Sequence, residues 1–202
     1  MTQDTSPKAL AKRLLSILEK DRERLLTFDA YIRGNHADPY MPELADAEYK
    51  LLAKRSVSNW IPLLLATPAQ ALYVDGFRRG YERKKVTGPE QSAEMKHWQR
   101  SRLDARQHPL YRAALGYGQA FTVTELNERN EAETRSLSPL RTSALYEDPA
   151  NDLVPYATIT VRKRPRLDVD SKVLLGEATL WADGRKYQIS FDGLNEIKTI
   201  VQ

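Results

Sequence analysis

The sequence predicts an α+β fold: N-terminal helices packed on a C-terminal, mostly antiparallel β region. Three observations carry this. Apolar residues recur at three- and four-residue steps through the first half of the chain, the spacing of a one-sided helix. After Gly118 the spacing changes to the alternation of half-buried strands. The run Ala182-Asp183-Gly184 then sits between two such stretches, a hairpin signal. Helices first and strands second is the segregated pattern of this class. Residues 1–126 are expected to form a helical part with short strands and residues 127–202 a β-rich part packed on it, the two making one continuous domain.

The elements follow in order. Ser6 suits an N-cap and Pro7 the first helical position. Leu10, Leu14, Ile17, Leu18, Leu25, Phe28 and Ile32 form the stripe of a first helix, and Gly34 offers a left-handed stop. YIRGNHADPYMP reads as an irregular loop. A second helix is expected over Glu43 to Arg55, burying Leu44, Leu51 and Leu52. SVSNWIPLLLATPAQAL, from Ser56 to Leu72, reads as a buried third helix with Ser58 as its cap; Pro62 is tolerated in the first turn, and Pro68 should kink or restart it. LYVDGFRR suggests a strand-turn about Asp75-Gly76. AEMKHWQRSRLDAR reads as one helix with Met95, Trp98 and Leu103 inward; Pro109 should interrupt it, with HPLYRAALGYG restarting. AFTVTEL is a strand, and NERNEAETRSLS a charged connector or hairpin turn. SALYED, YATITVRKR, KVLLGEATLWADGRKYQISF and NEIKTIV are β runs, with Ala157, Ile159 and Val161 on one face.

Composition excludes several chemistries. With 41% hydrophobic and 29% charged residues in 202, the chain can bury a core and is too apolar for wholesale disorder. It has no cysteine, which removes disulfides, thiolate metal sites and a cysteine nucleophile, and points to folding inside a cell. No apolar run reaches a membrane span, and MTQDTSPKAL has no signal-peptide pattern, so no membrane partner is expected. Neither a G-x-S-x-G elbow, a P-loop nor a Rossmann fingerprint appears. His97, Asp104 and His108 have spacing that would suit metal ligands on one helix face, but three polar residues on a solvated face are the commoner case. His36 and Asp38 read better as loop-fixing groups than as an acid–base pair. A hydrolase built on His36 or His97 therefore has no motif behind it. No catalytic residue, cofactor or metal is expected.

Net charge is +4, which permits an anionic partner without requiring one. Two basic clusters stand out. FRRGYERKK supplies Arg78, Arg79, Lys84 and Lys85 among aromatics, and VRKRPR supplies Arg162, Lys163 and Arg164 at a strand end. Either set could contact the phosphates of DNA or another anion; the competing reading is that these cations cap strands and keep loops solvated.

Several stretches taken in order resemble the N-terminal part of tailed-bacteriophage portal proteins, the head-to-tail connectors. They are Tyr31 and Gly34 of YIRGNH, Asn59 and Trp60, then Gly76, Phe77 and Arg78. Further on come Trp98 with Leu103 and Asp104, and Ala114 to Gly118, with Tyr117 before the last glycine. SPLRTSALYEDPANDLVPYA is similar to a Ser-Pro stretch that leads to a strand end in the family. The resemblance spans about Tyr31 to Phe191. It implies a structural, non-enzymatic role in a homo-oligomeric ring, dodecameric when assembled, at one capsid vertex of the virion. The ring would assemble in the host cytoplasm and pass double-stranded DNA during packaging and ejection. Implied partners are terminase, which hydrolyses the ATP, capsid and scaffolding proteins, and head-completion proteins. Portal chains continue into channel-lining helices and clip and crown regions that nothing in the last residues resembles, so what is expected here is the outer, wing-like portion: a fragment, a remnant or a short relative.

Within that frame the Trp60-led segment is expected to be a buried joint between the helical and β parts, with a loss of about 3–5 kcal/mol on truncation to alanine. The rival is a stand-alone basic α+β module that binds nucleic acid through the two clusters.

Overall fold

A computed structural model describes residues 5–37, 40, 46–55, 58–77, 92–167 and 173–202. The described residues carry helices α1 (Pro7–Ile32), α2 (Ala47–Arg55), α3 (Ile61–Ala71), α4 (Ala93–Arg100) and α5 (Leu103–Tyr117). Strands β1 (Phe121–Leu126) and β2 (Ala132–Leu137) follow, then β3 (Thr142–Leu145), β4 (Ala157–Lys163), β5 (Arg166–Leu167), β6 (Val173–Leu174), β7 (Gly176–Ala182), β8 (Arg185–Phe191) and β9 (Ile197–Val201). This is the α+β class, helices first and antiparallel strands after. The chain gathers into two compact units, Met1–Leu25 with Leu137–Gln202, and Leu26–Ser136. The division falls inside α1 and at the end of β2; position 126 is the end of β1.

The first unit is a helix on a sheet. Strands β3-β4-β7-β8-β9 form one antiparallel sheet in that order. Alternation puts Ala157, Ile159 and Val161 of β4 opposite Ala182, Leu180 and Ala178 of β7, all buried. Leu10, Ala11, Leu14, Leu15 and Leu18 of α1 join these residues in one core with Tyr187, Ile189 and Phe191. Ser143 Oγ donates to the Leu14 carbonyl at 2.8 Å, so even the polar group enclosed beneath the helix is satisfied. The β7–β8 turn uses Asp183 (φ 52°) and Gly184 (φ 69°), the two positive φ angles of a type I′ hairpin.

The second unit is helical with the β1–β2 hairpin. α1 begins on Ser6, whose Oγ accepts from Ala9 N, and ends in a Schellman pair: Asn35 N donates to Ala30 O at 2.8 Å and Gly34 N to Tyr31 O at 3.0 Å. Gly34 has φ +84°, which a side chain would resist.

Several expectations fail here for identifiable reasons. Leu51 and Leu52 of α2 are exposed, at 52% and 64%; the expected helix start at Glu43 and Leu44 lies outside the described residues. α3 is not a buried helix, for only Ala69 is enclosed, and Leu63 and Leu64 face out. It runs through Pro68 without interruption, and α5 likewise runs through Pro109. The break falls instead at Ser101-Arg102, splitting the expected single helix into α4 and α5: Arg102 takes a left-handed φ of 53° while Ser101 is fully buried with its Oγ accepting from Thr134 N. That buried hydrogen bond fixes the chain where propensity would have continued the helix. Residues 72–77 form no strand; there Val74 N donates to Gln107 Oε1 at 2.9 Å.

Candidate functional site

Of the sequence-predicted residues of the second unit, Gly34, Asn59 and Tyr117 meet at the C-terminal end of α1. A helix end leaves carbonyls without helical partners. Asn59 Nδ2 donates to one of them, Ile32 O, at 3.2 Å, while Asn59 Oδ1 accepts from Ile61 N, the first amide of α3, at 3.2 Å. One side chain thereby closes α1 and opens α3. Gly34 lies against it, since a Cβ there would stand 3.2 Å from Asn59 Nδ2. Gly116 of α5 completes the junction: a Cβ would meet Ile32 Cδ1 at 2.9 Å and Leu65 Cδ1 at 3.2 Å. One turn position later, Tyr117 Oη donates to Asp29 Oδ1 at 2.8 Å, and Arg33 pairs with the other carboxylate oxygen at 2.8 Å. Burial first, and then the Asp29 hydrogen bond and charge, push the Tyr117 phenol up to about 12.

Trp60 corrects the expected joint. Its side chain is 65% exposed, and it occupies the N-cap position of α3 without a side-chain cap bond. The amide of Asn59, not the indole of Trp60 or the hydroxyl of Ser58, makes the connection. Phe77 and Trp98 do meet, edge to face at 5.5 Å between ring centres. Leu103 is buried, Asp104 is exposed in the first turn of α5 where it favours the helix dipole, and Gly118 ends that helix with φ +74°. Gly76 is exposed, with open space around it.

The histidines serve structure. His97 Nδ1 lies 3.1 Å from Ala132 O, a carbonyl that can only accept, so Nδ1 donates there, and Nε2 is hydrogen-bonded to Thr134 Oγ1 at 2.9 Å. Thr124 Oγ1 and Thr134 Oγ1 share a hydrogen bond at 2.7 Å, completing a chain that ties α4 to the β1–β2 hairpin. His108 Nδ1 lies 3.1 Å from Ala69 O, tying α5 to α3. Among the described residues no three His, Asp or Glu side chains are placed to hold a metal. His36 packs edge-on against Tyr31 at 4.9 Å; Asp38 lies outside the described residues.

Basic residues of the first unit gather at a cleft. Arg78, Arg79, Lys84 and Lys85 lie outside the described residues. Arg162, Lys163 and Arg164 line a cleft of about 700 Å3 together with Arg141 and Arg166, over a floor that includes Val161, Pro165, Leu174 and Leu175. In a regular strand neighbouring side chains point to opposite faces. Here Val161 pairs with Ala178 and Lys163 with Glu177, leaving Arg162 as an extra residue, a bulge that re-aims the chain end. Val161 N donates to Arg141 O at 2.8 Å, which brings Arg141 alongside. Lys163 is held by Glu177 at 2.7 Å and Arg164 by Glu19 at 3.0 Å. Although partial burial works the other way, hydrogen bonds and charge from Arg22 and Arg164 hold the Glu19 carboxyl below its ordinary range. Arg166 closes the VRKRPR cluster read from the sequence, whereas Arg141 carries no sequence signal and is brought in by strand pairing alone.

No helix among the described residues is long and apolar enough to cross a membrane. No curated protein matches the chain closely enough to stand as a relative. The sequence profile described as phage portal protein, SPP1 Gp6-like, matches residues 11–201. That match takes in every part of the α1 junction, the β1–β2 hairpin and the five-stranded sheet, and the chain belongs to this family of phage portal proteins.

Proposed function

We propose that the chain is a structural subunit of a phage portal, contributing a wing-like α/β portion to a ring of identical copies at one capsid vertex. The observation that carries this reading is the family match over residues 11–201. In the ring, dodecameric in the assembled particle, double-stranded DNA passes during packaging and ejection. Terminase, capsid and head-completion proteins dock on it, first in the host cytoplasm and then in the virion. The chain takes no chemical step, and ATP hydrolysis belongs to the terminase. Its histidines support a scaffold role, since two of the three use ring nitrogens to tie one element to another.

Native mass spectrometry and negative-stain electron microscopy of the purified chain, alone and with the capsid and scaffolding proteins of its phage, test this. Closed rings of one copy number are the expected result. A chain that stays monomeric in both settings, up to near-millimolar concentration, overturns the reading.

A further inference from the structure

We propose that the loop between β3 and β4 of one copy docks on helix α2 of the next, a head-to-tail contact between identical chains. The inference rests on the portal reading for its setting and adds to it the two surfaces through which copies meet.

Helix α2 lacks the support that a helix of its length needs. An isolated helix shorter than about 12–15 residues is marginal in water, and most helices in proteins are held by packing of an apolar face. α2 has nine residues, and its large apolar side chains, Tyr49, Leu51 and Leu52, are all exposed. The sequence marks Leu51 and Leu52 for burial, yet within one chain they remain in water. Arg55 follows Leu51 by four positions and Leu52 by three, which puts an exposed cation on the same face. The whole helix carries three cations against one carboxylate, Glu48.

The β3–β4 loop is the reverse case, an apolar tip on a built support. Asp148 N donates to Asp152 Oδ2 at 2.7 Å, and the Asp148 carboxylate accepts from Ala150 N at 3.0 Å and from Asn151 Nδ2. Tyr156 N closes the loop on Leu145 O at 3.0 Å. On that support Leu153 and Val154 stand 94% and 78% exposed. Single apolar residues scattered over a surface are ordinary; two adjacent ones held out on a hydrogen-bonded loop call for a partner. A loop ordered before contact loses little entropy on binding, so this tip is pre-organised.

Charge selects the partner. Residues 147–156, EDPANDLVPY, hold three carboxylates, those of Glu147, Asp148 and Asp152, and no lysine or arginine. An acidic rim about an apolar tip fits a basic rim about an apolar face, which α2 supplies. Two loops brought together would set carboxylate against carboxylate, and two α2 helices cation against cation. Surfaces that match each other but not themselves make a heterologous contact, which repeats from copy to copy and closes into a ring when the rotation allows. The loop and α2 belong to different units of the chain, so each copy offers one of each.

The chain has no cysteine, so engineered ones report the contact directly. Full-length L52C mixed with full-length V154C under mild oxidation should give a disulfide-linked pair, well above that from L52C mixed with T199C, a position on β9. L153S/V154S and L51S/L52S alter only exposed side chains, and each alone should weaken self-association about tenfold or more in sedimentation velocity. Mixed with each other they should form pairs and nothing larger, since one brings the intact α2 and the other the intact loop. Amides of α2 should gain exchange protection in that pair. Should either variant melt early, the cysteine mixture reads the same contact. Oligomers of wild-type size from either double-serine variant, at wild-type concentrations, overturn the proposal and leave the ring on other surfaces. A wild-type chain that stays monomeric overturns the ring reading, and the cysteine mixture then decides the contact alone: no excess over the T199C control overturns it as well. An L52C/V154C chain that closes on itself at every concentration overturns the proposal by placing the contact within one copy.

Discussion

Asn59 and Trp60 are neighbours with opposite roles. The Asn59 amide satisfies a terminal carbonyl of α1 and the first amide of α3. Replacing it with alanine should lower stability by about 1–2 kcal/mol, the loss typical of a helix cap plus one further hydrogen bond. Trp60→Ala removes a mostly exposed ring and should cost under about 1 kcal/mol, both read from urea melts. Reversed values would return the joint to the tryptophan. Sequence reasoning found the Asn-Trp pair but assigned its weight by hydrophobicity, and hydrophobicity does not register a side-chain amide spanning two backbone ends. Tyr117 gives a second residue-scale test. Its phenol is raised to about 12 against an ordinary 10, so the folded state holds this proton more tightly than the unfolded chain. The resulting stabilisation is complete below pH 10 and is lost as pH climbs to about 12. Wild type should therefore lose more stability across that window than Tyr117→Phe, in paired denaturant melts at stepped pH. Parallel losses would show that the phenol does not titrate high.

Among the elements, the helices containing proline depart most from sequence expectation. Helix propensity places the break at Pro109 because proline lacks the amide that would donate to the carbonyl four residues earlier. The helix nevertheless continues, held just before the proline by Gln107, whose Oε1 accepts from Val74 N, and His108, which bonds Ala69 O. Those contacts reach 33 and 39 positions along the chain, beyond any local window. The penalty of an interior proline should still be present. Pro109 is exposed, so Pro109→Ala loses little packing, restores a backbone hydrogen bond and should raise stability by about 1–2 kcal/mol after the looser unfolded chain is counted. A destabilised variant would mean that the ring itself is needed at that position. The strands are far more legible: β4 and β8 alternate because one face is buried under α1, β7 departs from that pattern only at the buried Thr179, and the Asp183-Gly184 turn announces its own geometry. The cleft was half legible for the same reason. Consecutive cations could be read, but the bulge that turns them to one place depends on pairing with β7.

At the scale of the whole molecule, the first unit is assembled from the two ends of the sequence, Met1–Leu25 and Leu137–Gln202. Reading from the N-terminus gives no hint of this, since an amphipathic helix carries no label for the surface it will cover. Its consequence is energetic. Leu14 is fully buried, and Leu10, Leu15 and Leu18 are nearly so, in a core whose other half comes from β4, β7 and β8. A sheet left with one apolar face in water lacks most of the burial that offsets chain ordering. Residues 137–202 expressed alone should thus remain unfolded, and adding a peptide of residues 5–25 should restore β structure, followed by far-UV circular dichroism and by amide protection in β4, β7 and β8. In the intact chain, Leu14→Ala should cost about 2–5 kcal/mol, with the protection lost from those same strands. A 137–202 fragment that folds unaided would show that the sheet holds itself together and that α1 is a passenger on it. If the peptide is required, closure of the sheet waits on a contact across more than a hundred residues, such as the Ser143–Leu14 hydrogen bond with its separation of 129 positions. Contacts of that range slow folding, since the intervening chain must be closed before they can form.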